Sequence, residues 1–188
     1  MYFSNQELKK FGFTKIGKNV KVSKFVSFYS FKGEIGDNSR IDDYAILKGN
    51  IKIGKNVHIS SFDYFASVGG HILIGDYTGV SAQVSIYSVS DDYLGDYMTN
   101  PTVNKNFRKI IKGKVIIGKN VSIGAGTVIL PNTKLGHSVS IGAQSLVSRN
   151  IKSGFLFVNR AKEILIKVKN LKKIKEKIKK FEKLNSSI

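Results

Sequence analysis

Residues 117–147 carry an aliphatic side chain at every sixth position. These positions are Ile117, Ile123, Ile129, Leu135, Ile141 and Val147. An α-helix repeats its faces about every 3.6 residues and a single strand every two, so neither produces a period of six. A triangular coil does, because each of its three sides is a short strand that points an apolar side chain toward a narrow axis.

A second regularity has the length of a whole coil. "IGKNV" occupies 16–20, 53–57 and 117–121, and close variants occupy 35–39, 74–78 and 135–139. The starts are 19, 18, 21, 43 and 18 residues apart, which indicates a period of 18 with three insertions. Stacked coils pair as parallel strands, and six of them at roughly 4.8 Å each make a prism about 29 Å long. A β-sandwich does not explain a register kept over six coils.

Asparagine recurs where the coil must turn a corner. It tolerates left-handed backbone better than most residues. The corner positions are Asn19, Asn38, Asn56 and Asn120.

Three segments break the register and set the organisation. Residues 1–13 are predicted as a helix that covers the first coil, since Ser4 and Glu7 have capping-box spacing. The β-helix domain extends over 14–158 and contains a long excursion at 87–113. Residues 159–188 are predicted as a basic helix, with an apolar stripe between 160 and 184.

Composition limits the class of protein. The net charge is +18 and cysteine is absent, so disulfides, cysteine-ligated metals and a thiol nucleophile are excluded. The absence of cysteine also fits a cytoplasmic location. There is no apolar run of 18 residues, so no membrane span is expected, and the N-terminus lacks a signal-peptide pattern. Residues 160–184 hold eleven Lys or Arg and three Glu. This segment packs on the prism, lies on an anionic membrane through 163–184, or binds nucleic acid without sequence specificity.

The coil motifs resemble the hexapeptide-repeat acyltransferases, in particular sugar O-acetyltransferases of the galactoside and maltose type from surface-polysaccharide pathways. The stretch "IGAGTVILPNTKLGHSVSIGAQSLVS" and the following "NRAK" carry the resemblance. It implies a left-handed parallel β-helix, acetyl-CoA as donor, no metal, and a homotrimer with active sites between neighbouring prisms. The acceptor it implies is a sugar or a lipid-linked saccharide.

The resemblance also suggests which residues hold the coenzyme. Gly124, Ala125, Ala143 and Ser145 match positions along which the pantetheine arm would lie. Arg160 and Lys162 would face its phosphates. The family's usual "GNPAK" ending reads Val158 to Lys162 as "VNRAK" here.

The acceptor hydroxyl needs a base, and histidine suits that role at neutral pH. Galactoside-type relatives carry this histidine at the start of the excursion, where this chain has Asp91 and Asp92 and no histidine. His58 or His71 could reach the same volume from a neighbouring coil, or an aspartate could act as the base. An amine acceptor is the third interpretation, because its free-base form attacks directly.

Acceptor contacts are expected from Ser60, Asp63 and Tyr93, near His58 and the excursion. The main function predicted is transfer of acetyl from acetyl-CoA to a sugar hydroxyl in polysaccharide or lipopolysaccharide biosynthesis. The alternatives are N-acetylation of a nucleotide-linked amino sugar and a non-catalytic scaffold. A zinc hydratase on the same prism requires clustered histidines, and the nearest pair here is thirteen residues apart.

Overall fold

The computed structural model describes residues 1–92, 97–159 and 163–167, together with residues 172, 176, 179 and 183. The elements are α1 (Asn5–Lys10), β1 (Phe13–Ile16), β2 (Lys21–Val22), β3 (Ser27–Ile35), β4 (Arg40–Ile41), β5 (Ile46–Ile53), β6 (His58–Ile59), β7 (Tyr64–Ile74), β8 (Gly79–Val80), β9 (Ser85–Tyr87), β10 (Val89–Asp91), the 3₁₀ turn η1 (Lys105–Phe107), β11 (Ile110–Lys112), β12 (Lys114–Ile117), β13 (Ser122–Ile123), β14 (Val128–Ile129), β15 (Lys134–Leu135), β16 (Ser140–Ile141), β17 (Leu146–Val147), β18 (Phe155–Asn159) and β19 (Glu163–Lys167).

These strands build a three-sided parallel β-helix of the kind that the period predicts, and it is consistent with the left-handed solenoid that the family resemblance implies. Face A contains β2, β4, β6, β8, β13, β16 and β18. Face B contains the first halves of β3, β5 and β7, followed by β9, β14 and β17. Face C contains β1, the second halves of β3, β5 and β7, and then β12 and β15. Because β3, β5 and β7 each bend around one corner, faces B and C share a sheet.

The hexad residues form the core that the period predicts. From Ile35 to Val147, each position in this register that the sequence pattern marks as inward is at most 4% exposed. The corner asparagines are also as expected: Asn19, Asn38, Asn56 and Asn120 have φ between 53° and 56°. A periodic sequence therefore specifies both the interior and the corners of this fold.

The N-terminal end of the prism is covered. Ser4 and Glu7 form the predicted capping box at the start of α1, and Leu8 is 1% exposed. The Phe11 ring stacks on Phe28 with centroids 5.2 Å apart. These contacts bury the open end of the first coil, where unpaired strand edges would otherwise face solvent.

Two features differ from the prediction. Face A holds seven parallel strands in the described part of the chain, one more than the six coils expected, because residues 151–159 add a further turn without the "IG" motif. The helix predicted over 159–188 is wrong for Glu163–Lys167, which forms β19 and pairs antiparallel with β18. Pairing with the exposed edge of face A satisfies backbone groups that a helix would leave open, so tertiary context overrides the helical pattern. Residues 172, 176, 179 and 183 are helical and exposed.

The excursion at 87–113 leaves face B after β9 and returns at β12. Its two arms, β10 and β11, pair antiparallel, with Val89 opposite Lys112 and Asp91 opposite Ile110. The hairpin holds the excursion against the prism and defines one wall of a cavity.

Candidate functional site

A groove crosses face A between the third and sixth coils and has a volume of about 300 Å³. Its lining is His58, Ser60, Gly79, Val80, Ser81, Ser122, Ile123, Gly124 and Ile141. The groove is recessed because the outward-facing positions of these strands carry small residues. A Cβ atom at Gly79 would meet nothing within 4 Å. This face A groove brings together His58, Ser60 and Gly124, three residues that the sequence analysis selected separately.

His58 is held at one end of the groove by a carboxylate from the preceding coil. Its Nε2 lies 2.8 Å from Asp42 Oδ2, and the Arg40 guanidinium donates to the same carboxylate with Nη2 at 2.9 Å from Oδ2. Hydrogen bonds from Arg40 and then from His58 lower the pKa of Asp42, with burial opposing them. A carboxylate only accepts hydrogen bonds, so Nε2 is the donor in this pair and Nδ1 is left outside it.

The predicted coenzyme residues lie at the corner between faces A and B. Ala125 and Ala143 are exposed there in successive coils, and the Gln144 N–H donates to the Ala125 carbonyl at 2.7 Å. Gly124 is required by close packing, because a Cβ would lie 2.4 Å from the Ala143 nitrogen. Ser145 is different: it is 1% exposed and its hydroxyl donates to the Gly142 carbonyl at 2.7 Å. An extended chain laid along this corner meets backbone and methyl groups, not the Ser145 side chain.

A second cavity, of about 530 Å³, lies on face B beneath the excursion. Its lining is Lys48, Tyr64, Ala66, Val68, Tyr87, Val89, Ser90, Asp91, Pro101, Arg108, Ile110, Leu130 and Pro131. Most of these side chains are apolar or aromatic, and two cations and one carboxylate are set among them. We call this space the loop cavity.

The charged groups of the loop cavity are held by the excursion and by face B. Asp91 Oδ2 accepts the Asn100 N–H at 3.3 Å. Lys48 Nζ lies 3.3 Å from the Tyr64 hydroxyl. Asp92, the other aspartate considered as a base, pairs with Lys109 at 3.3 Å and does not line the cavity. The structure therefore separates the two aspartates and leaves Asp91 facing the cavity.

Comparisons with known proteins agree with this architecture. Residues 33–62 and 111–149 match the model of the bacterial transferase hexapeptide family (six repeats). The dTDP-4-amino-4,6-dideoxy-D-glucose acyltransferase of Escherichia coli is 38% identical over 137 residues, which are 71% of each chain.

The chain belongs to the hexapeptide-repeat acyltransferase family.

Solved structures separate two branches of this family. AntD, an N-acyltransferase from Bacillus cereus in complex with dTDP and 3-hydroxybutyryl-CoA, is 32% identical and has a TM-score of 0.87 over 98% of each chain. An AntD variant in complex with dTDP-4-amino-4,6-dideoxyglucose and coenzyme A has a TM-score of 0.84 at 31% identity, over 95% of this chain and 97% of that one. Galactoside acetyltransferase in complex with coenzyme A is 20% identical with a TM-score of 0.58, over 89% of this chain and 72% of that one, which shows the fold alone. The similarity is therefore greater to the amino-sugar branch than to the galactoside type expected from the motifs.

Other residues predicted for the acyltransferase site lie apart from both cavities. His71 is exposed on face C, where its backbone N–H donates to the Gly113 carbonyl at 3.1 Å. Asp63 is 1% exposed, so its carboxyl does not face an acceptor sugar. Tyr93, Arg160 and Lys162 lie outside the described residues.

Several residues around the acyltransferase cavities were missed by the sequence analysis. Arg40 is the strand partner of His58, and Asp42 lies 16 residues before it. The period of 18 contains that signal, since residues about one period apart become neighbours. Lys48 and Arg108 gave no such signal. Arg108 belongs to the irregular excursion, and the path of that loop back to the prism determines that it lies near Lys48.

Within the described residues, no group of three His, Cys, Asp or Glu side chains could hold a metal ion. The described residues therefore offer no set of ligands for the zinc that a hydratase would need. None of its helices, as far as the chain is described, is long and apolar enough to cross a bilayer.

Proposed function

We propose that this protein is an N-acyltransferase that moves an acyl group from a coenzyme A thioester to the amino group of a nucleotide-linked sugar. The observation that carries the proposal is the 38% identity to the E. coli enzyme named for dTDP-4-amino-4,6-dideoxy-D-glucose. The likeness to AntD over nearly the whole chain supports it. This is the alternative raised by the sequence, and it replaces O-acetylation of a sugar hydroxyl as the favoured reaction.

Amine chemistry also accounts for the missing histidine. A hydroxyl attacks a thioester only when a base takes its proton, whereas the lone pair of a neutral amine attacks directly. In the proposed reaction the amine nitrogen bonds to the thioester carbonyl carbon and the carbon–sulfur bond breaks. The departing coenzyme A thiolate and the proton lost by the amine together give the free thiol. The residues 87–113 contain no histidine, and this reaction does not need one there.

The two substrates, the acyl coenzyme and the amino sugar, are each assigned to one of the two cavities in this proposal. The coenzyme lies along the corner of Ala125 and Ala143 and directs its thioester toward the face A groove, where backbone groups can pair with an extended amide chain. The amino sugar lies in the loop cavity, with its amino group near Asp91. A 6-deoxy sugar has an apolar methyl group, which suits the largely apolar lining.

The two spaces open on adjacent faces of one prism. A homotrimer, as the family resemblance implies, would place the groove of one protomer opposite the loop cavity of the next. His58 then faces the reacting atoms from the coenzyme side, and its Nδ1 can receive the amine proton. Asp91 supplies the second acceptor from the sugar side.

The test is thiol release with a panel of donors and acceptors. Because the chain has no cysteine, a thiol reagent reports coenzyme A without background from the protein. We expect release with dTDP-4-amino-4,6-dideoxyglucose and an acyl-CoA, together with a product of the mass of the amide. Release only with hydroxyl sugars would restore O-acetylation, and no release with any acceptor would favour a non-catalytic scaffold.

A variant links the chemistry to the loop cavity. Asp91→Asn keeps the size of the side chain and removes its charge, and we expect it to lower kcat/KM for the amino sugar about 10-fold or more. Asp43→Asn, at an exposed carboxylate that does not line the loop cavity, is the matched control. Equal activity of the two variants would remove Asp91 from the site.

A further inference from the structure

The loop cavity contains two cationic side chains that lack, within the described residues, the carboxylate partners found at the neighbouring lysines. Lys48 and Arg108 both line it. The adjacent lysines are paired: Lys52 lies 2.8 Å from Glu34, and Lys109 lies 3.3 Å from Asp92. Among the described residues, neither Lys48 nor Arg108 has a carboxylate within ion-pair distance. The loop cavity therefore holds two cationic side chains that are not paired with a described carboxylate.

Lys48 is held in place by aromatic groups. Its Nζ lies 3.3 Å from the Tyr64 hydroxyl, and 5.3 Å and 5.5 Å from the ring centroids of Tyr29 and Tyr64. Two rings and a hydroxyl restrict a side chain that would otherwise be flexible. They do not neutralise its charge, so the ammonium group can still bind an anion.

Arg108 has an unmet requirement for a hydrogen-bond acceptor. Its Nε is buried and has no partner among the described residues. A buried donor of a charged group without an acceptor is costly, and a guanidinium pairs especially well with the oxygens of a phosphate. The occupant that would satisfy Arg108 is therefore an anion that enters the loop cavity.

The loop cavity is also lined by the Asp91 carboxylate. Asp91 would repel a phosphate and attract an amine. A ligand that satisfies all three groups carries an anionic part and an amino group on one molecule, with an apolar region between. A nucleoside diphosphate joined to an amino sugar has this order of charges.

We infer that Lys48 and Arg108 form the subsite for the diphosphate of the sugar nucleotide, and that this subsite places the sugar amine near Asp91. The inference rests on the proposed function for the identity of the ligand. It goes further by assigning nucleotide recognition to these two side chains. It also explains why the substrate would carry a nucleotide: the diphosphate supplies binding energy at a distance from the reacting amine.

Binding of dTDP alone, measured by isothermal titration calorimetry, tests the inference without turnover. We expect Lys48→Gln and Arg108→Gln each to weaken binding about 10- to 100-fold, the range for loss of one charge-assisted hydrogen bond. Lys52→Gln is the control, since it removes a paired lysine of the same strand β5 that does not line the cavity. Far-UV circular dichroism checks that each variant keeps the fold of the wild type.

Kinetics separate a binding role from a general loss of structure. With the sugar nucleotide as acceptor, KM should rise by a factor similar to the loss of dTDP affinity, while kcat at saturation changes less. If dTDP binds equally to the wild type and to both cavity variants, or if Lys52→Gln weakens it as much as they do, the subsite assignment is wrong. Absence of turnover with normal, Lys48-dependent dTDP binding would instead contradict the proposed acyl transfer and leave the subsite in place.

Discussion

Asp63 is a carboxyl group inside the prism, and its titration should control the stability of the fold. It lies at the corner between faces A and B and is 1% exposed. Its Oδ1 accepts the Val84 N–H of the next coil at 2.8 Å, while Oδ2 is buried without a described partner. Burial raises its pKa from 3.8 to about 8; the Asp42 carboxylate adds to the rise, and the N–H groups of Val84 and Ser60 oppose it.

The sign of the pH effect follows from this rise. Between the unfolded and folded pKa values, the folded protein keeps a proton that the unfolded chain has lost, so a higher pH favours unfolding. The full stability is present below the unfolded pKa and is lost as the pH rises through about 8. A rise of about 4 pKa units corresponds to roughly 6 kcal/mol, since one unit is about 1.4 kcal/mol.

Replacing the carboxyl isolates this contribution. Asp63→Asn keeps an oxygen acceptor for the Val84 N–H and cannot ionise. We expect the free energy of unfolding of the wild type, relative to this variant, to fall by about 3 kcal/mol between pH 5 and pH 7.5. Urea unfolding followed by far-UV circular dichroism measures both proteins, and the histidines contribute equally to each.

The exposed Asp43→Asn variant controls for the loss of a negative charge. It should follow the wild-type pH dependence within about 0.5 kcal/mol, as surface substitutions usually do. If wild type and Asp63→Asn lose stability in parallel between pH 5 and pH 7.5, the carboxyl is ionised in the folded state and the reasoning fails.

Two further predictions concern the backbone. Gly118→Ala should destabilise the prism by roughly 1–3 kcal/mol, because its Cβ would lie 2.7 Å from the Gly136 carbonyl carbon and overpacking carries this cost. Gly79→Ala, on the neighbouring coil, places its Cβ in open space and should lose less than about 1 kcal/mol in the same urea assay. Ser4→Ala removes the cap of α1 and should cost about 1 kcal/mol of unfolding free energy; an unchanged urea midpoint would show that α1 does not stabilise the first coil.

The sequence pattern predicted the coil, but it marked only one inward-pointing residue on each side of a coil. The structure shows a second one two positions earlier: Val57 before Ile59 and Val121 before Ile123 are each at most 1% exposed. Asp63 stands in this second series, two before Phe65, and Ser145 stands two before Val147. Both were expected to face ligands, and both are buried for the same reason. A pattern with two inward positions in six would have placed them correctly.

The parts of the candidate site that lie on regular coils could be predicted from the sequence. Gly124, Ala125 and Ala143 lie along one corner because the period stacks them, and His58 and Ser60 reach the same groove for the same reason. Asp91 was selected by its position at the start of the excursion, and it does face a cavity. His71 was selected because it is a histidine on a neighbouring coil, in a short insertion that could line a cleft, and the register of β7 places it on face C.

By itself, the sequence determined the solenoid, its corners and its cap, because each depends on residues at fixed spacing within one coil. Tertiary structure decided which charges meet. Stacking placed Asp42 beside His58, and the return of the excursion brought Arg108 into the cavity with Lys48, 60 positions earlier. It also decided that Glu163–Lys167 is a strand, since an open sheet edge offers hydrogen bonds that local preference cannot foresee. Contacts between distant residues depend on the path of the whole chain, and no local period encodes that path.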